Sequence, residues 1–118
     1  MSSPVVPAVS PSEAISNLVV RVTREYTGRG PTKARTHIVK DLVSVVLEDT
    51  LTRGERTLVD SHRSGQVLAM RLAFQDAMEA ALVAGVQEIL GRKVLAFMSS
   101  NHIDPDMAIE NFVLSPER

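Results

Sequence analysis

Residues 34–49 read ARTHIVKDLVSVVLED. Two β-branched and apolar runs, Ala34 to Val39 and Leu42 to Asp49, are separated only by Lys40 and Asp41, so the spacing predicts an antiparallel hairpin. The second run is so rich in valine that it belongs inside a sheet, covered on at least one face. Its two terminal carboxylates, Glu48 and Asp49, would point to opposite strand faces and so cannot flank one substrate bond.

The segments flanking this hairpin switch to helical period. Ser10 followed by Pro11, with Glu13 in the first turn, marks a helix start, because the hydroxyl can accept from free N–H groups and proline has none to leave unpaired. Ile15, Leu18, Val19, Val22 and Tyr26 then form one stripe that stops at Gly28, with Arg21 and Arg24 outside it. Downstream, Thr52 to Asp60 reads as a short helix: Thr52 and Glu55 have capping-box spacing, and Leu58 and Val59 are its only sizeable apolar residues, which puts it at an edge. The longest helical signal runs from Gln66 to Leu90 and is closed by Gly91. Val67, Met70, Phe74, Ala77, Met78, Ala81 and Leu82 make one stripe there, widened by Leu68, Leu72, Val83, Val86 and Ile89.

Two further strands, Lys93 to Ser100 and Met107 to Leu114, flank the turn-rich segment Asn101, His102, Asp104, Pro105, Asp106. The order helix, strand, strand, helix, helix, strand, strand predicts an α+β fold: a two-layer sandwich of an antiparallel sheet of about four strands with helices on one face. Residues 1–9, irregular and rich in proline, read as a disordered lead-in, and residues 10–116 as a single domain.

Composition narrows the function. The chain has 118 residues, 44% hydrophobic and 23% charged, enough for one core, and no cysteine, which removes disulfides, thiolate metal sites and cysteine nucleophiles. MSSPVVPAVS lacks the basic start and unbroken apolar run of a signal peptide. No transmembrane segment is predicted, the longest uncharged apolar run being Ala80 to Val86. A cytoplasmic protein follows, able to reach the inner face of a membrane only as a peripheral partner. Its four aromatic residues, three of them in apolar stripes or strands, leave no stacking platform for nucleic acid.

The net charge of −1 hides a polarised chain: residues 21–40 carry +5 and residues 41–118 carry −5. Within the basic part, Gly28, Arg29, Gly30, Pro31, Thr32 and Lys33, with Arg35 beyond, join a helix to a strand. Two glycines free backbone N–H groups, and arginine, threonine and lysine donate to oxyanions, so this loop is the candidate site for a small anion or an acidic partner. A solvated basic turn after a helix stop fits the same residues. The pattern is not a P-loop, because the glycine spacing differs and a strand follows.

The second candidate is the turn Asn101, His102, Asp104 and Asp106, with Glu110 nearby. These are hard oxygen ligands and an imidazole, but Asp-Pro-Asp is ordinary turn chemistry, and no metal or cofactor is assigned. His37 and His62 are isolated. No nucleophile motif occurs, and no catalytic residue is assigned.

EYTGRGPTKAR (Glu25 to Arg35), VVLEDTLTRGER (Val45 to Arg56), LAFQDAM (Leu72 to Met78), GRKVLAFMSSNHIDPD (Gly91 to Asp106) and FVL (Phe112 to Leu114) together resemble the MpsC family over about residues 11–116. The resemblance implies association with a sodium-translocating, membrane-potential-generating system linked to inorganic-carbon uptake. It supplies no established catalytic residues, only the suggestion that Gly28 to Arg35 and Asn101 to Asp106 matter.

Without a span the chain cannot itself move sodium, so the leading expectation is a non-enzymatic accessory or regulatory domain docked on a membrane transport complex. A sensor of phosphate, nucleotide or carboxylate at Gly28 to Arg35 is the alternative. An enzyme comes third and requires His102, Asp104, Asp106 and Glu110 to converge. The long helix, about 37 Å at 1.5 Å per residue, outruns a typical strand and is apolar at both ends, which predicts a homodimer unless the other two helices cover the surplus.

Overall fold

The computed structural model describes residues 9–117. The irregular lead-in expected over residues 1–9 lies outside this range except for Val9, which precedes the first helix. Seven elements follow in the predicted order: α1 (Pro11–Thr27), β1 (Lys33–Val39), β2 (Leu42–Glu48), α2 (Arg53–Asp60), α3 (Ser64–Leu90), β3 (Val94–His102) and β4 (Met107–Leu114). They form an α+β sandwich, an open antiparallel sheet of order β1-β2-β4-β3 with the helices packed on one face.

Local chemistry fixes most boundaries. The Glu13 N–H donates to Ser10 Oγ, Pro11 opens α1, and Gly28 closes it with a left-handed φ of 84° and an N–H donated to the Arg24 carbonyl. In α2 both capping-box bonds are made, the Glu55 N–H to Thr52 Oγ1 and the Thr52 N–H to Glu55 Oε1. Helix α3 starts two residues before the expected Gln66, because the N–H groups of Gln66 and Val67 donate to the Arg63 carbonyl and draw Ser64 and Gly65 into the first turn. Strand β3 runs through Asn101 and His102, both expected in the turn: their backbones pair with Ala108 and Met107, which leaves residues 103–106 as the hairpin loop.

Valine-rich β2 is central. Val43, Val45 and Leu47 face the helices and are buried, together with Ala108, Phe112 and Leu114 of β4. Ile15, Leu18, Val19 and Val22 of α1 cover them as predicted, whereas Tyr26 stays 42% exposed at the end of the stripe. Helix α3 buries Val67, Gln75, Met78, Leu82 and Val86, while Met70 and Ala77, expected in its stripe, are exposed. A helix apolar on nearly every side gives the wheel no direction of its own, and contact with α1 and the sheet sets it. At the α1–α3 crossing, a Cβ on Gly85 would lie 2.5 Å from a Leu18 methyl, so any side chain there would force Leu18 to shift.

Candidate functional site

The two candidate segments meet, through residues between them. Arg29 turns back from the loop after α1 and donates through Nη2 to Asp49 Oδ2 (2.9 Å) and through Nη1 to the Asp49 and Leu51 carbonyls (2.5 and 3.2 Å). Arg56 from the α2 surface bridges Asp49 Oδ1 (3.0 Å) and Asp106 Oδ2 (3.2 Å). Asp106 also accepts from Thr50 Oγ1 (2.7 Å) and the Leu51 N–H (2.9 Å). Two arginines and two aspartates thus form a charge-balanced clasp joining the 28–33 loop, the β2–α2 connection and the β3–β4 turn. The hydrogen bond from Arg29 holds Asp49 below the usual carboxylate range; desolvation opposes it, and the Arg29 charge with the bonds from Thr32 and Arg56 outweighs that opposition.

The other predicted loop residues divide between fold and surface. Gly28 caps α1, and Gly30 lies where a Cβ would come within 3.2 Å of the Val20 backbone oxygen. Pro31 is buried, and the Thr32 N–H donates to the Glu48 carbonyl. Lys33 and Arg35 project from β1 into solvent, Arg35 lying 3.7 Å from Glu48. In the second segment Asn101 exchanges amide hydrogen bonds with Gln75, His102 Nδ1 lies 2.8 Å from the Pro105 carbonyl, and Asp104 is exposed. His102 is on the open face of the sheet and Glu110 on the helix-covered face, so His102, Asp104, Asp106 and Glu110 do not converge on one point. Among the described residues no three His, Asp or Glu side chains are grouped to hold a metal ion.

Under the helices lies a polar cluster that the sequence reading missed. Glu110 is 2% exposed, accepting from Gln75 Nε2 (3.0 Å) at one oxygen and Ser99 Oγ (3.1 Å) at the other. Beside it the buried Glu55 accepts from Arg71 (3.1 Å), whose Nε is buried without a partner among the described residues. Glu55, Arg71, Gln75 and Glu110 border a cavity of about 40 Å³ with apolar walls from Leu47, Phe74, Met78 and Ala108. Burial pushes the Glu110 carboxyl up to about 7, against the pull of Ser99, Gln75 and the Arg71 charge. Two signals were present in the chain: Glu110 interrupts the apolar alternation Ala108, Phe112, Leu114, and Arg71 and Gln75 continue the buried stripe from Val67 at intervals of four.

The opposite face of the sheet is uncovered. Register and burial give it four rows across β1, β2, β4 and β3: Lys33, Glu48, Met107, His102; then Arg35, Val46, Ile109, Ser100; then His37, Ser44, Asn111, Met98; then Val39, Leu42, Val113, Ala96. Half of these positions are apolar, with Val39 at 64%, Met98 at 53% and Leu42 at 43% exposure. Polar residues normally occupy the solvated face of such a sheet.

The family described as "Na+-translocating membrane potential-generating system (MpsC)" matches residues 10–116, nearly the whole chain. The chain belongs to the MpsC family. No curated protein and no solved structure matches it. Membership links this MpsC domain to a membrane system, yet among the described residues no helix is long and apolar enough to cross a membrane. The clasp, the buried Glu110 cluster and the open sheet face are the features of this MpsC chain available for a role in that system.

Proposed function

We propose that this MpsC protein is a non-enzymatic accessory or regulatory subunit of a membrane-potential-generating system, docking on an acidic protein partner through the open sheet face and its basic β1 edge. The observation that carries this reading is the half-apolar, uncovered face bordered by Lys33 and Arg35. Apolar surface supplies the driving force for association, and a one-signed edge supplies orientation and partner choice. Arg29 is held by three hydrogen bonds to Asp49 and Leu51, whereas Lys33 and Arg35 are exposed and Arg35 has only the looser contact with Glu48, so recognition rests on Lys33 and Arg35 rather than on the whole Gly28 to Arg35 loop. A free anion at that loop is the competing ligand, and it would raise the melting temperature with the logarithm of its concentration above the dissociation constant. The unit that docks is a homodimer, consistent with the apolar surplus of α3.

Co-purification from native membranes, comparing wild type with Lys33→Glu plus Arg35→Glu, tests the proposal. Enrichment of a membrane-spanning protein by wild type, lost in the double variant but kept in Arg21→Glu on the helix side, is the expected result. Equal recovery by all three proteins would overturn it.

A further inference from the structure

The two edges of the sheet differ in a way that bears on self-association. Strand β1 carries Lys33 and Arg35, charges that discourage strand pairing between copies. Strand β3, at the other edge, runs nine residues, VLAFMSSNH, without one Asp, Glu, Lys, Arg or Pro, and no strand among the described residues pairs with its outer side. Leu95 at its bulge is 58% exposed and Met98 53%.

The helix above that edge is unpartnered on the same side. Helix α1 packs over β1 and α3 over β3, with Gly85 turned toward α1 and Gln75 toward the sheet. At 100° per residue, Leu68, Leu72, Glu79, Val83 and Leu90 cluster roughly 140° from Gly85, on the flank away from α1. Leu68 is 38% and Leu72 53% exposed there; Glu79 lies within the cluster and Asp76 at its outer border.

We infer that β3 pairs antiparallel with β3 of a second copy about a two-fold axis, making one eight-stranded sheet, while the outer flanks of the two α3 helices pack above the junction, the Leu68–Leu72 end of one toward the Val83–Leu90 end of the other. This rests on the homodimer reading and names its surface. An antiparallel strand is complementary to itself under a two-fold, so its pairing is isologous, as the interface of a two-fold homodimer must be. The size is adequate: an edge about 30 Å long and two layers about 20 Å high gives about 600 Å² per copy, the lower bound for a specific interface. Charge selects this edge, because β1 carries Lys33 and Arg35, edge charges that oppose strand pairing between copies, and β3 carries none.

Light scattering of the full chain at micromolar concentration, combined with cross-linking, tests the inference. Wild type should have twice the 12.9 kDa chain mass, and Leu72→Glu plus Leu95→Lys, both at exposed positions, should return it to 12.9 kDa with unchanged circular dichroism. Because the chain has no cysteine, Ala96→Cys, Met98→Cys and Ser100→Cys can each be treated with a short bismaleimide. Dimer bands should form from these and not from His37→Cys near the other edge. A 12.9 kDa wild type would overturn both the homodimer and this surface. A dimer that survives Leu72→Glu plus Leu95→Lys and cross-links from Cys at 37 would keep the homodimer and overturn the β3 surface alone.

Discussion

At Glu110 a carboxyl group occupies a strand position whose neighbours on the same face, Ala108 and Phe112, are apolar and buried. Its folded pKa of about 7 lies above the ordinary 4.5, so the folded state holds the proton more tightly than the unfolded chain. The stabilisation from that proton is complete below pH 4.5 and is lost as pH rises through 7, by up to about 3 kcal/mol at 1.36 kcal/mol per pH unit. Glu110→Gln keeps an acceptor for Gln75 and offers the Ser99 hydroxyl a donor in place of the carboxylate oxygen it donates to, but cannot ionise. Denaturant unfolding at pH 5 and pH 8 should show wild type losing stability relative to the variant over that interval. Parallel curves would mean that Glu110 does not titrate there. Asp49 behaves oppositely: its Arg29 bond stabilises the ionised form, so that contribution is present above the ordinary carboxylate pKa and is lost as pH falls. Arg29→Ala should move the Asp49 carboxyl resonance titration upward in NMR, and an unmoved titration would remove the clasp as its cause.

Among the elements, the close approach of α1 and α3 depends on Gly85. Gly85→Ala gains about 1 kcal/mol of helix propensity but pushes into a Leu18 side chain that is 5% exposed, an overpacking cost of about 1–3 kcal/mol. Net destabilisation of about 1 kcal/mol is expected in wild type, with the sign reversed in a Leu18→Ala background. Thermal melts of the four proteins measure this, and additive effects would contradict direct contact. The same elements show what a sequence can disclose. Ser10, Pro11, Gly28, Thr52, Glu55 and Gly91 act within four residues of themselves, so the helix ends they mark were legible, unlike the start of α3, which has no side-chain cap, and the Lys40–Asp41 spacing dictated the hairpin. Asp49 was not legible as the shared partner of Arg29 and Arg56, since that contact depends on how the β2–α2 connection meets two distant loops. Nor was the buried side of α3, whose apolar residues surround the helix. Of the expected binding residues, Arg29 and Asp106 meet through the clasp, while Lys33, Arg35 and Asp104 stay in solvent.

Across the whole molecule, polarity runs from β1 to β3. One edge is basic and the other uncharged, the helix face is closed over a core, and the opposite face is half apolar and open. A subunit built this way can present its basic edges outward while its uncharged edges join two copies. Because Lys33 and Arg35 are exposed, reversing their charge should leave the fold intact and act on association, mainly through its salt-sensitive part. The most direct test is co-sedimentation of purified protein with native membranes at low and at physiological salt. Wild type should bind, weaken as salt rises, and exceed Lys33→Glu plus Arg35→Glu by at least about tenfold in affinity, equivalent to about 1.4 kcal/mol. Equal binding of the two proteins at both salt concentrations would contradict docking through the basic edge and the open face.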